Sequence, residues 1–159
     1  MKQIILTLLL AVLALCIGMT KANAAIPYVV INSTTDVMTF YYDDLISTHT
    51  WIGDGDKEIV RELDMNSNTC PWFSMDVHPY ALHVKEVVFD ASFFSQRPTN
   101  MSGWFHGMVL LTKLTNLQNL NTSQVTDMSG LFSGCIRLTN VDLSVWNVSK
   151  VQKLDRLFY

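Results

Sequence analysis

Four histidines, three cysteines and two close aspartate pairs are the side chains in this sequence best suited to chemistry. His49, His78, His83 and His106 have no partner at a metal-ligand spacing. Asp54 and Asp56 lack the further carboxylates, the glycine and the closing glutamate of a calcium loop, so a solvated turn is expected there. Asp43 and Asp44 are neighbours, and in a strand their carboxylates point to opposite faces and cannot share a proton. No Gly-x-Ser-x-Gly, His-Glu-x-x-His or glycine-rich phosphate loop occurs. The expectation is therefore no catalytic residue, no cofactor, no metal and no small-molecule substrate: a protein that is not an enzyme.

The cysteines point to compartment rather than reactivity. Cys16 lies in a leader: Lys2 supplies a short positive start, Ile4 to Ile17 are almost wholly apolar, and Ala22-Asn23-Ala24 fits a small-x-small cleavage site. This run of about 14 residues is short of the roughly 20 needed to span a bilayer. Leu13 is too bulky for a lipid-attachment signal around Cys16. Residues 1–24 thus read as a secretory signal peptide cut near Ala24, and the expected location is the cell surface or the medium. Both leader charges are lysines, which leaves nine basic residues against 14 acids after cleavage. That mildly acidic remainder has no Lys/Arg cluster, and it argues against nucleic acid and anionic lipid surfaces. Cys70 and Cys135 permit a single disulfide, so the fold must rest on its apolar core.

The elements that position everything else come from a repeat. Met101-Ser102-Gly103-Trp104-Phe105-His106-Gly107-Met108 begins a 14-residue stretch that aligns without gaps on the stretch starting Met128-Ser129-Gly130-Leu131-Phe132-Ser133-Gly134-Cys135, 27 positions on, with seven identities. At a spacing of 26, Leu117, Leu120, Asn121, Met128 and Phe132 match Leu143, Trp146, Asn147, Leu154 and Phe158. Upstream, Val84-x-x-Val87-x-Phe89 and Phe93 begin the first copy. The unit Leu138-x-x-Val141-x-Leu143-x-x-Trp146-Asn147 is close to a leucine-rich pattern with its Asn one place late. Alternation at Val141 and Leu143 predicts a short strand. Met128-x-x-Leu131-Phe132-x-x-Cys135, behind a capping Asp127, predicts a short helix that Gly134 ends. No such unit buries its apolar face alone, so equivalent residues should stack. The expected columns are Phe93/Leu120/Trp146, Phe105/Phe132/Phe158, Met101/Met128/Leu154 and Leu111/Leu138. Cys135 takes the slot of Met108, as an inward filler rather than half of a disulfide.

Residues 25–83 are less periodic. Tyr28 to Ile31 and Val37 to Tyr42 predict a hairpin around Asn32–Asp36. The stretch Ile59 to Met65 lies between turn clusters and reads as a strand. Trp51, Trp72, Phe73 and Tyr80 are the expected anchors of this small β-rich capping unit. Four Asn-x-Ser/Thr sequons, at Asn32, Asn100, Asn121 and Asn147, read as turn residues rather than glycan acceptors, because Asn121 and Asn147 recur in register.

Asn121 to Cys135, followed by Leu138-Thr139-Asn140-Val141-Asp142-Leu143-Ser144-Val145-Trp146, resembles the repeat of bacterial BspA-type leucine-rich-repeat surface proteins. Tyr28-Val29-Val30, Met38 to Asp43 and Val87 to Phe93 resemble segments that precede the repeats in that family. The resemblance implies an α/β repeat solenoid over residues 84–159, with a short strand and a short helix in each coil of 26–27 residues. It also implies an adhesin-like protein that binds protein partners on host or bacterial surfaces. Members generally run through more coils, whereas here Leu157-Phe158-Tyr159 fall inside the last one. The alternative expectation is therefore a truncated fragment of a longer surface protein, self-associating through an open C-terminal end. On the solenoid reading, partner contacts fall on the outward strand face, at Thr115, Asn116 and Gln118 in one coil and Asp142 and Ser144 in the next.

Overall fold

The computed structural model describes residues 24–45, 58–63 and 78–159. Residues 1–23, which hold most of the expected leader, and Trp51, Trp72, Phe73, Cys70, His49, Asp54 and Asp56 all lie outside them.

The hairpin forms as its β-branched and aromatic runs require. Strand β1 (Ile26–Asn32) pairs antiparallel with β2 (Val37–Asp43), Ile26 opposite Asp43 and Asn32 opposite Val37. The Asn32 carboxamide accepts from the backbone N–H of Thr34 and Thr35 at 3.0 Å each, and Asp36 closes the turn at φ 57°. Strand β3 (Glu58–Glu62) pairs antiparallel along the other edge of β1. The only helix among the described residues is one turn, α1 (His78–Ala81).

The repeat region then joins the same sheet. Strand β4 (Glu86–Phe89) pairs parallel with β2, and β5 (Lys113–Thr115) pairs parallel with β4. The strand order is β3-β1-β2-β4-β5, a mixed sheet that runs without a break from the hairpin into the repeats. Alternation along β1 serves two apolar clusters. Val29 and Ile31 join the main core with Met38, Phe40 and Phe89, while Tyr28, Val30 and Val60 form a smaller cluster on the opposite face.

The α/β leucine-rich-repeat solenoid expected from the sequence is therefore corrected. Residues 84–159 contain no α-helix, only short 3-10 turns at Ala91–Ser95 and Leu117–Asn119, and Val141 and Leu143 lie in no strand. An open five-stranded sheet is continued by a stack of turns. The reason lies in the segment assigned to the helix. Gly103 and Gly107 sit at φ 64° and 74°, and Gly130 and Gly134 at 63° and 77°, so two left-handed residues interrupt each eight-residue stretch. The N–H groups of Trp104, His106 and Met108 bond locally to the carbonyls three residues back, those of Met101, Gly103 and Phe105. The N–H groups between them leave the segment. Met101, Gly103, Phe105 and Gly107 donate to the carbonyls of Asp127, Ser129, Leu131 and Ser133 at 2.7–3.0 Å. One level on, Met128, Gly130, Phe132 and Gly134 donate to Lys153, Asp155, Leu157 and Tyr159 at 2.7–2.9 Å. A chain of 3-10-like turns places apolar residues three and four apart much as a helix does, which is why the periodicity misleads.

The expected phenylalanine column stacks. Phe105 and Phe132 lie with ring centroids 5.4 Å apart, and Phe132 and Phe158 5.2 Å apart, within 18° of parallel. Phe93, Leu120 and Trp146 are buried, as are Met101, Met128 and Leu111. The third level is more open, with Leu154 and Phe158 more than half exposed. Among the aromatic anchors expected in residues 25–83, Tyr80 is instead exposed, and the buried rings there are Tyr28 and Phe40. Phe40 stacks on Phe89 at 4.7 Å and on Trp104 at 5.7 Å, so the hairpin and the turn stack share one core. Burying such a ring contributes about 2–3 kcal/mol.

Candidate functional site

Polar side chains close the turns of the stack in a recurring form. Asn100, Asp127, Asn121, Asp142 and Asn147 each accept from the backbone N–H of the serine two residues on, at 2.7–3.2 Å. Asp90 does the same with Ser92 at 2.8 Å. A short side-chain oxygen reaching forward two residues replaces the bond that a tight turn would otherwise leave unmade. All four sequon asparagines are used in such turns, as expected of structural residues.

Ion pairs join consecutive levels. Lys85 meets Asp36 at 2.7 Å, Lys113 meets Glu86 at 2.8 Å and Lys153 meets Asp127 at 3.7 Å. Lys113 holds the Glu86 carboxyl below its usual range, helped by the Thr115 hydroxyl that donates to it. Partial burial opposes the charge on Asp127, but Ser129 and Lys153 outweigh it and its carboxyl also titrates low. These lysines are largely exposed, so each pair contributes at most about 1 kcal/mol.

The five residues expected to form a partner surface separate into two groups. Thr115 ends β5, half-buried, with its hydroxyl on Glu86. Asn116 is exposed and left-handed at φ 59°, and Gln118 is exposed in the 3-10 turn that follows. Asp142 and Ser144 are exposed and bonded to each other, which lowers the Asp142 carboxyl through the serine hydroxyl and N–H. No hydrogen bond joins the two groups among the described residues. Because the third coil has no strand, Asp142 and Ser144 stand on a turn rather than on a strand face.

On the turn side the surface is concave and polar. A cleft of about 590 Å³ is lined by His106, Ser129, Gly130, Ser133, Asp155 and Arg156. Beside it, a trough of about 470 Å³ runs over Thr99, Asn100, Thr126, Asp127 and Lys153. His106 and Ser133, which hold the same place in successive repeats, line the same cleft. Among the described residues no three histidine, cysteine, aspartate or glutamate side chains gather as metal ligands. Asp43 is occupied by the Tyr28 hydroxyl at 2.7 Å and the Leu45 N–H at 2.9 Å; burial together with that contact raises the phenol.

Three internal contacts escaped the sequence reading. Thr122, buried, donates its hydroxyl to the Asn147 carbonyl at 3.2 Å and accepts the Asn147 N–H at 2.8 Å, clamping two levels. Asn119 donates to the Phe89 carbonyl at 3.0 Å. Cys135 is a free, buried thiol that donates to the Phe105 carbonyl at 2.9 Å, and burial pushes its pKa up to about 12. The repeat alignment could have flagged Thr122, because it stands where Val148 stands one level on.

No helix among the described residues is long and apolar enough to cross a membrane. No curated protein and no solved structure matches the chain. Residues 84–159, a little under half of its length, match the model of a family described as Mycoplasma protein of unknown function, DUF285.

Proposed function

We propose that this chain is a non-enzymatic, exported surface protein of the BspA-like kind that binds protein partners through polar residues displayed on its stacked levels. One observation carries the reading: the frame repeats while the exposed residues on it do not. The inter-level hydrogen bonds recur at equivalent backbone positions, and serine-closed turns recur beside them. Over that frame Asn116 and Gln118 give way to Asp142 and Ser144, and His106 gives way to Ser133. A fixed scaffold with changing polar side chains suits recognition of proteins. The match of residues 84–159 to a repeat family supports the same reading.

The test is saturable binding to a panel of immobilised host and bacterial surface proteins, read by biosensor. A variant carrying Asn116→Gly, Gln118→Ala and Ser144→Ala, which keeps the left-handed backbone and the Asp142 turn, should lose at least tenfold in affinity with an unchanged melting temperature. Equal loss of binding and stability, or no saturable binding across the panel, overturns the proposal.

A further inference from the structure

Between the hairpin turn and α1 lies a cavity of about 230 Å³, lined by Ile31, Asn32, Ser33, Asp36, Tyr80 and His83. Its floor is apolar, because Ile31 belongs to the main core, and one wall is Tyr80, 38 % exposed. Asp36 ties together the two segments that form it. Its carbonyl accepts from the N–H groups of Lys85 and Glu86 at 2.8 and 3.4 Å, and its carboxylate meets the Lys85 ammonium at 2.7 Å. The Asn32 carboxamide oxygen is held inside the turn by the N–H groups of Thr34 and Thr35. The His83 N–H donates to the Tyr80 carbonyl at 3.0 Å, which fixes the wall. A ligand entering here has little left to order.

The polar groups left over define what can enter. The Asn32 amide nitrogen carries two hydrogens and Asp36 Oδ1 carries lone pairs, and neither atom has a partner among the described residues. The Tyr80 hydroxyl also has none among them. Charge narrows the choice. Lys85 already neutralises Asp36, so an entering cation meets the lysine and an entering anion meets the carboxylate. The fitting ligand is neutral, with an apolar face for Tyr80 and Ile31 and an edge that both accepts and donates. A hydroxyl does both from one oxygen. A trans peptide group points its N–H and C=O in opposite directions. The volume is below the roughly 300 Å³ at which pockets for drug-sized ligands begin, which suits a single ring.

We infer that this cavity binds one neutral pyranose sugar, its C–H face against Tyr80 and its adjacent hydroxyls on Asn32 and Asp36. Asn32 donates to a sugar oxygen, a sugar hydroxyl donates to Asp36 Oδ1, and the aromatic face covers the apolar side of the ring. With so few atoms in contact, affinity for one sugar unit is on the order of millimolar. The site is separate from the protein-binding surface at Asn116 and Ser144 and does not rest on it.

The test is titration of the purified full chain with glucose, galactose and N-acetylglucosamine, each free and as its methyl glycoside, to tens of millimolar. Binding is read by saturation transfer to the sugar and by amide shifts in the nuclear magnetic resonance spectrum. At least one sugar should saturate, with shifts centred on residues 31–36 and 80–84. Free sugar and methyl glycoside binding alike assigns the site to the end of a glycan, and free sugar binding alone assigns it to a soluble monosaccharide; both support the inference. Asn32→Asp keeps the acceptor for Thr34 and Thr35 but removes both donors, and should weaken binding at least fivefold. Tyr80→Ala should weaken it at least tenfold, and methyl glucuronide, an anionic sugar, should bind at least tenfold more weakly than methyl glucoside. The Asn116, Gln118 and Ser144 substitutions should leave sugar binding unchanged, which separates failure here from failure of the surface reading. No saturable binding, shifts centred elsewhere, equal binding of N-acetyl-leucinamide, or indifference to Asn32→Asp and Tyr80→Ala overturns the inference.

Discussion

The sheet and the turn stack solve the same problem with different hydrogen bonds. In the sheet, backbone groups of β1, β2 and β4 pair with strands on both sides, so the segments stay extended and side chains alternate between faces. In the turn stack, every second N–H crosses to the next level and those between close turns within their own level. The first arrangement tolerates any residue with good β propensity. The second needs left-handed residues at fixed places and a side-chain oxygen at each corner. Sequence tolerance should therefore be lower in the turn stack than its exposure suggests, and the comparison can be broken at single residues.

The largest effect is expected at the middle of the aromatic column. Phe132 is buried between Phe105 and Phe158. Phe132→Ala should cost about 3–5 kcal/mol, the usual range for a buried phenylalanine. Phe158→Ala, at a ring that is 56 % exposed, should cost about 1 kcal/mol or less. Urea unfolding of the two variants measures the difference, and equal losses would mean that the levels are not mechanically distinct.

The glycines come next. A Cβ on Gly134 would lie 3.2 Å from the Gly107 Cα and 3.3 Å from its nitrogen, whereas one on Gly130 meets nothing closer than 3.9 Å. Gly130→Ala should cost about 1–2 kcal/mol, from the left-handed backbone alone. Gly134→Ala adds backbone crowding between levels and should cost about 3 kcal/mol. Thermal unfolding ranks them. A Gly130 variant as damaging as the Gly134 variant would remove the crowding argument.

How much of this was legible beforehand depends on which bonds encode it. The phenylalanine column was legible because phenylalanines 27 and 26 residues apart carry their own signal. The hairpin was legible because β-branched runs flank Asn32 to Asp36. The helix was misread because a 3-10-like series of turns and an α-helix place Met128, Leu131, Phe132 and Cys135 at the same spacings. The paired glycines, four residues apart in both copies, were the signal against it, since a helix accepts one such residue at its end and not two inside. The partner surface was legible in part. Exposure at Asn116, Gln118, Asp142 and Ser144 follows from polarity, but the missing third strand depends on inter-level bonding that no local pattern records.

The smallest effect concerns Cys135, where the turn stack buries a thiol against the Phe105 carbonyl. Burial raises its pKa from about 9 to about 12, so the folded state keeps the proton where the unfolded chain releases it. A folded pKa above the unfolded one means full stability below about pH 9, with a progressive loss as pH rises toward 12. The slope for one proton approaches about 1.4 kcal/mol per pH unit, so the loss attributable to this thiol between pH 9 and pH 10 should be about 1 kcal/mol. Cys135→Ala should flatten the decline in urea midpoint between pH 9 and 10 by that amount, even if it lowers stability at pH 7. The same burial protects the thiol, so alkylation of native Cys135 at pH 8 should be slowed from the exposed-thiol rate by the opening equilibrium of the stack. Alkylation at the rate of an exposed thiol in the folded chain would show that Cys135 is not sealed beneath the second level.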